Sequence, residues 1–155
     1  MTRFRIFFAL FALALAPLAH AQAEKFTPDE LDFIEQTWPT AKRTMTGIRY
    51  IIEREGHGAP PVAGNVVSVL YTGKLFDGKV FDRNQDILHP FSFRVRRFQV
   101  IEGWDQVLQL MKPGEKRLVI IPAELAYGTR GQSPIIKPDA PLVFEIELLS
   151  VKKDE

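Results

Sequence analysis

The 155-residue sequence contains no cysteine. That absence excludes disulfides, thiol catalysis, cysteine-ligated zinc and a lipid-modified N-terminal cysteine. Histidine is scarce, with His20, His57 and His89 far apart and without ligand-like spacing, so no metal site is expected. The longest uncharged apolar run, Ile6 to Leu18, has 13 residues. This falls short of the roughly 18 that suggest a membrane span. There is no Gly-x-Ser-x-Gly elbow, P-loop or Gly-x-Gly-x-x-Gly turn, so hydrolase and nucleotide chemistry lack a carrier. No excess of one charge exists either: 20 Lys and Arg face 19 Asp and Glu. A nucleic-acid binder held by phosphate contacts is therefore not expected.

The N-terminus reads as an address. Arg3 and Arg5 precede the apolar run, and Ala19-His20-Ala21 follows with small residues where a signal peptidase reads. A second triplet, Ala21-Gln22-Ala23, leaves cleavage after Ala21 or Ala23 open. The expectation is a signal peptide over 1–21 and a mature chain exported to the bacterial periplasm, with secretion beyond it left open and no membrane association after cleavage. Without Arg3 and Arg5 the mature chain keeps 18 basic residues against 19 acidic ones. The 155-residue length and the 46% apolar content of the full sequence suit one globular domain.

Thr27-Pro28-Asp29-Glu30 carries a capping box with proline at the first helical position. Leu31, Ile34 and Trp38 then fall on one helical face, and Pro39 closes the helix. Residues 22–45 are read as an N-terminal helical extension packed on the main domain. A partner or self-association surface is the alternative.

From Gly47 onward the pattern becomes β. Strands are predicted over Ile48–Arg54, Asn65–Leu75, Lys79–Asp82, around Phe91 and Phe93, over Glu115–Ile121 and over Leu142–Leu149. Asp77-Gly78 marks a hairpin turn. Trp104, Val107, Leu108 and Met111 give one short helix ended by Pro113-Gly114. Residues 127–141 form a long Gly- and Pro-containing loop of the kind that carries function. The fold class is α+β, an antiparallel sheet of about five strands wrapped around one short helix, with the first and last strands expected to pair. Glu145 and Glu147 read as a solvated strand face rather than a catalytic pair.

The conspicuous residues are aromatic, and they stand inside a run of motifs. These are Val69-Leu70-Tyr71-Thr72-Gly73, Asp77-Gly78-Lys79-Val80-Phe81-Asp82, Pro90-Phe91-Ser92-Phe93, Val100-Ile101-Glu102-Gly103-Trp104, Met111-Lys112-Pro113-Gly114-Glu115, Leu125-Ala126-Tyr127-Gly128 and the final strand from Leu142 to Leu149. In this order and spacing the run resembles the FKBP-type peptidyl-prolyl cis-trans isomerases, across a domain placed at 46–155. The resemblance implies an isomerase of X–Pro bonds that assists folding of exported proteins. A chaperone or peptide-binding module with little turnover is the alternative on the same fold.

The resemblance also implies a site. Tyr71, Phe81, Asp82 and Tyr127 are its catalytic residues. Phe91, Phe93, Val100, Ile101, Trp104, Ile136 and Phe144 bind substrate. Trp104 is the floor, Ile101 offers its backbone N–H, Tyr127 donates its hydroxyl, and Ile136 is an apolar rim. No cofactor and no metal are implied. The partners implied are proline-containing polypeptides and macrolide inhibitors. The family's usual partner for the pocket aspartate is an Arg a few residues on, where Ile87 stands here; either Arg83 substitutes, or Tyr71 alone holds Asp82. Gln99, Gln132 and Lys137 also depart from the family's pattern.

Overall fold

A computed structural model describes residues 23–153. The signal peptide assigned to 1–21 lies outside them. The elements run α1 (Pro28–Thr37), β1 (Lys42–Arg43), β2 (Arg49–Arg54), β3 (Val66–Leu75), β4 (Val80–Asn84), β5 (Phe91–Arg94), α2 (Glu102–Leu108), β6 (Lys116–Ile121) and β7 (Leu142–Lys152). All pairings are antiparallel, in the order β1-β2-β6-β7-β3-β4, with β5 added to β3.

The order corrects one expectation. The first long strand, β2, pairs with β6, and β7 lies between β6 and β3. Leu142, Val143 and Phe144 are all buried, so the start of β7 has apolar residues on both faces and belongs in the sheet interior.

The two faces of the sheet bury different things. On the concave side Val67, Val69, Val119, Ile121, Phe144, Ile146 and Leu148 pack against Trp104, Val107, Leu108 and Met111 of α2 and the turn after it. Helix α2 ends at Leu108, and Met111 reaches the same core from the following turn. Gly103 permits this approach, because a Cβ there would sit 2.5 Å from the Ile121 side chain. On the opposite side Phe26 and Ile34 of the α1 region pack against Ile120 and Val143. Helix α1 is set by its capping box: Glu30 N–H donates to Thr27 Oγ1 (3.3 Å) and Thr27 N–H to Glu30 Oε2 (2.8 Å). The expected packing of this helix on the main domain is thus observed.

Beyond α1 the convex face is ionic. Glu145 pairs with Lys74 (2.6 Å) and Lys116 (3.6 Å), and Glu147 with Arg54 (2.6 Å). These carboxylates belong to a ladder of ion pairs rather than a merely solvated face. A buried pair, Arg117 with Glu115, ties the turn after α2 to β6: Arg117 Nη2 donates to Leu110 O, and Glu115 Oε2 accepts from Lys112 N–H.

Candidate functional site

At one end of α2 the concave face opens into a cavity of about 160 Å³. Strand β3 brings Tyr71 to it, β7 brings Phe144, and β5 brings Phe91. The chain entering α2 contributes Gln99, Val100 and Ile101, the first turn of α2 contributes Trp104, and the 127–141 loop contributes Tyr127.

Phe81 and Asp82 are consecutive on β4, yet both line the cavity. Strict alternation would send them to opposite faces. The register explains the exception: Gly73 pairs with Asp82 and Lys74 with Val80, so Phe81 is the extra residue of a β-bulge. Gly73 gives the bulged ring its room, because a Cβ there would lie 2.7 Å from Phe81 and 2.8 Å from Phe144.

Trp104 is the floor and is 4% exposed. Its ring centroid lies 5.0 Å from Tyr71 and 5.3 Å from Phe144, both at 84°. Phe81 meets Phe144 at 5.7 Å and 85°. These edge-to-face contacts add an electrostatic preference to apolar burial and hold the walls in one arrangement.

The polar groups divide into satisfied and unsatisfied. Tyr71 Oη donates to Asp82 Oδ2 at 2.8 Å, and burial together with that carboxylate pushes the phenol pKa well above its usual value. Asp82 is thus held by Tyr71, not by Arg83. The Tyr127 hydroxyl is also raised, first by burial and then by Asp82, and has no partner among the described residues. The Ile101 N–H is likewise unpaired among them, while its carbonyl accepts from Trp104 and Asp105 at the start of α2. Trp104 Nε1 is buried without a partner. The Ile101 N–H and the Tyr127 hydroxyl therefore face an aromatic chamber whose one carboxylate, Asp82, already accepts from Tyr71, and neither His57 nor His89 lines it.

Two residues expected in this wall stand elsewhere. Phe93 is buried behind it, 5.9 Å from Trp104 between centroids. It pairs with Val67, whereas Phe91 pairs with Val69, one step nearer Tyr71 along β3. Ile136 is buried rather than rim-like; its neighbour Ile135 is the exposed one. Ile136 lines a second cavity of about 270 Å³ with Gln132, Ser133, Pro134 and Ile135, sharing Phe81, Asp82 and Tyr127 with the first. Sequence reasoning missed this second chamber and the lining role of Gln99. The available signal was the position of Gln99 directly before the Val100-Ile101 pair.

Comparison with known proteins points one way. A family model described as FKBP-type peptidyl-prolyl cis-trans isomerase matches residues 58–149. The chain is 45% identical over 108 residues to the outer membrane protein MIP of Legionella longbeachae, covering 70% of this chain and 46% of that one. It is 43% identical over 112 residues to the FKBP-type isomerase FkpA of Aeromonas hydrophila, covering 72% and 41%. A crystal structure of a peptidyl-prolyl cis-trans isomerase from Pseudomonas syringae pv. tomato superposes with TM-score 0.71 at 39% identity, covering 81% of this chain and 92% of that one. The chain thus spans less than half the length of the two curated relatives.

Proposed function

The chain belongs to the FKBP-type peptidyl-prolyl cis-trans isomerase family, and from that premise we propose that it accelerates rotation about X–Pro bonds in proline-containing polypeptides. One observation carries the reading: an aromatic chamber floored by Trp104 presents unpaired donors, the Ile101 N–H and the Tyr127 hydroxyl, while its one carboxylate, Asp82, is engaged by Tyr71.

The chemistry needs no base. The X–Pro bond is a tertiary amide whose rotation faces a barrier of roughly 18–20 kcal/mol. Uncatalysed exchange takes about 10–100 s. No covalent bond breaks and no proton moves. The twisted amide loses resonance, so its carbonyl is less dipolar than in the planar form. A water-poor aromatic pocket therefore favours the twisted state relative to bulk water. The proline ring rests on Trp104 between Tyr71, Phe81, Phe91 and Phe144, and Val100 closes the side next to α2. Ile101 N–H and Tyr127 Oη hold the flanking carbonyls, so that the ring turns against a fixed frame. Phe93 and Ile136 support this wall from behind. The same wall and donors suit a macrolide, which offers carbonyls on an apolar ring.

Export to the bacterial periplasm and assistance to folding there complete the proposal. The short charged-then-apolar leader over 1–21 supports it. The catalytic unit is placed at 46–155 and the helical extension at 22–45. Mass spectrometry of the native protein is expected to show a start at Gln22 or Glu24; intact Met1 in a membrane fraction overturns the export reading. Activity is tested with residues 22–155 by cis-to-trans exchange of a short X–Pro peptide, measured by NMR. Acceleration is expected. A folded protein that binds the peptide without speeding exchange supports the chaperone alternative.

A further inference from the structure

We infer that Asp82 selects among clients, favouring X–Pro sites with a lysine or arginine flanking the proline and disfavouring those with an acidic neighbour. The inference rests on the isomerase reading and adds a specificity to it.

Three observations meet at this side chain. First, the two cavities, of about 160 and 270 Å³, share Phe81, Asp82 and Tyr127, so Asp82 stands at their junction. Second, of all the residues that line either cavity, Asp82 is the only charged one. Third, its charge is uncompensated: Tyr71 is its hydrogen-bond donor, and it makes no ion pair among the described residues.

Among the described residues no cation pairs with Asp82, Arg130 and Lys137 of the 127–141 loop included. Arg83 follows Asp82 in the regular part of β4, pairs with Thr72, and so projects from the opposite face of the strand. Ile87, 67% exposed in the loop after β4, carries no charge. His89 in the same loop has its Nδ1 2.8 Å from Asp86. Arg96 reaches Glu102 at 2.7 Å.

The second cavity supplies room for a long basic side chain. Its apolar members, Ile135, Ile136 and Pro134, suit an alkyl stem, and Asp82 at its junction with the proline chamber suits the charged head. Low-dielectric walls on one side make such a pair stronger than a fully solvated one, and the same walls make an acidic side chain there unfavourable.

The experiment uses residues 22–155 and uncharged-end peptides acetyl-Ala-X-Pro-Ala-amide and acetyl-Ala-Ala-Pro-X-amide, with X as Lys, norleucine or Glu. Exchange is followed by NMR at low and at high salt. Exposed ion pairs are worth up to about fivefold in an equilibrium, so a Lys-over-Glu ratio in kcat/KM of roughly three to ten is expected at one or both positions. It should shrink as salt rises from about 0.02 to 0.5 M. Asp82→Asn keeps an acceptor for Tyr71 and should bring the ratio close to one, whereas Asp86→Asn should leave it unchanged. Equal rates for Lys, norleucine and Glu in the native protein overturn the inference while the isomerase reading stands. A ratio that survives Asp82→Asn, or that does not fall with salt, also overturns it. No acceleration of any peptide overturns both.

Discussion

The Tyr127 hydroxyl has one task that its ring does not share. Tyr127→Phe removes a neutral donor and leaves the apolar surface in place. A net hydrogen bond of about 0.5–1.5 kcal/mol is at stake. The expected loss in kcat/KM is roughly two- to twelvefold, at about 1.4 kcal/mol per tenfold, measured by peptide exchange. Phe81→Ala opens the wall to water and should cost more. Gly73→Ala places a methyl group within 3 Å of both Phe81 and Phe144, so one ring must leave its position. Overpacking of this kind costs about 1–3 kcal/mol, and a lower denaturation midpoint together with lower activity is expected. Both phenols titrate above their ordinary range and no imidazole lines the chamber, so the rate should be nearly flat from about pH 6 to 8. A bell-shaped profile in folded protein would reveal a proton transfer and end the desolvation account. At this scale the motif run identified most of the chamber wall by residue number. Alternation alone separates Phe81 from Asp82, because a bulge depends on pairing with β3 and leaves no mark in the β4 sequence itself.

Helix α1 was legible from local signals: its capping box, its proline and its stop at Pro39 all lie between Thr27 and Pro39, where local chemistry decides. Which surface it covers was not legible, since Phe26 and Ile34 are equally apolar toward any partner. Their neighbours are Ile120 and Val143, on the side of the sheet away from the chamber. Ile34→Ala should therefore destabilise by about 2–5 kcal/mol, read from urea unfolding. Peptide exchange below the new midpoint should be unchanged. Deleting 22–45 should act the same way and more strongly, because it uncovers the whole apolar patch. Lost activity in a truncated protein that remains folded would assign the helix to the site. The Arg117–Glu115 pair is a different kind of joint. Removing either partner leaves a buried charge, which costs about 3–5 kcal/mol.

Across the whole molecule, strands β2 to β7 were readable in the sequence, whereas the two-residue β1, which falls inside the stretch read as a helical extension, and the strand order were not. A single strand's pattern states which residues are buried and says nothing of which edge it meets, so the pairing of β2 with β6 had to be seen. The convex ionic face sets the molecule's response to pH. Lys74, and then Lys116, hold the Glu145 carboxyl below its usual range. Its contribution is present above the unfolded value of about 4.5 and fades as pH falls toward the folded one. Glu53, and then Glu145, raise Lys116 above 10.5, so its contribution is complete below that value and fades as pH rises past it. Glu145→Gln should flatten the acid side of a melting-temperature profile and leave the neutral-pH peptide rate unchanged.

Strand β7 carries two interleaved messages. At 142, 144, 146 and 148 it faces α2 and the chamber; at 143 it lies beneath α1, and at 145 and 147 it carries the ion pairs. A saturation mutational scan scored separately for activity and for solubility would resolve this strand into two combs offset by one residue. From 142 to 148, even-numbered teeth would answer to catalysis and odd-numbered teeth to the outer coat; past the register shift, Val151 turns back to the core. A lineage is then free to redesign what covers the outside without rewriting the pocket, because one pleated ribbon keeps the two records on opposite pages.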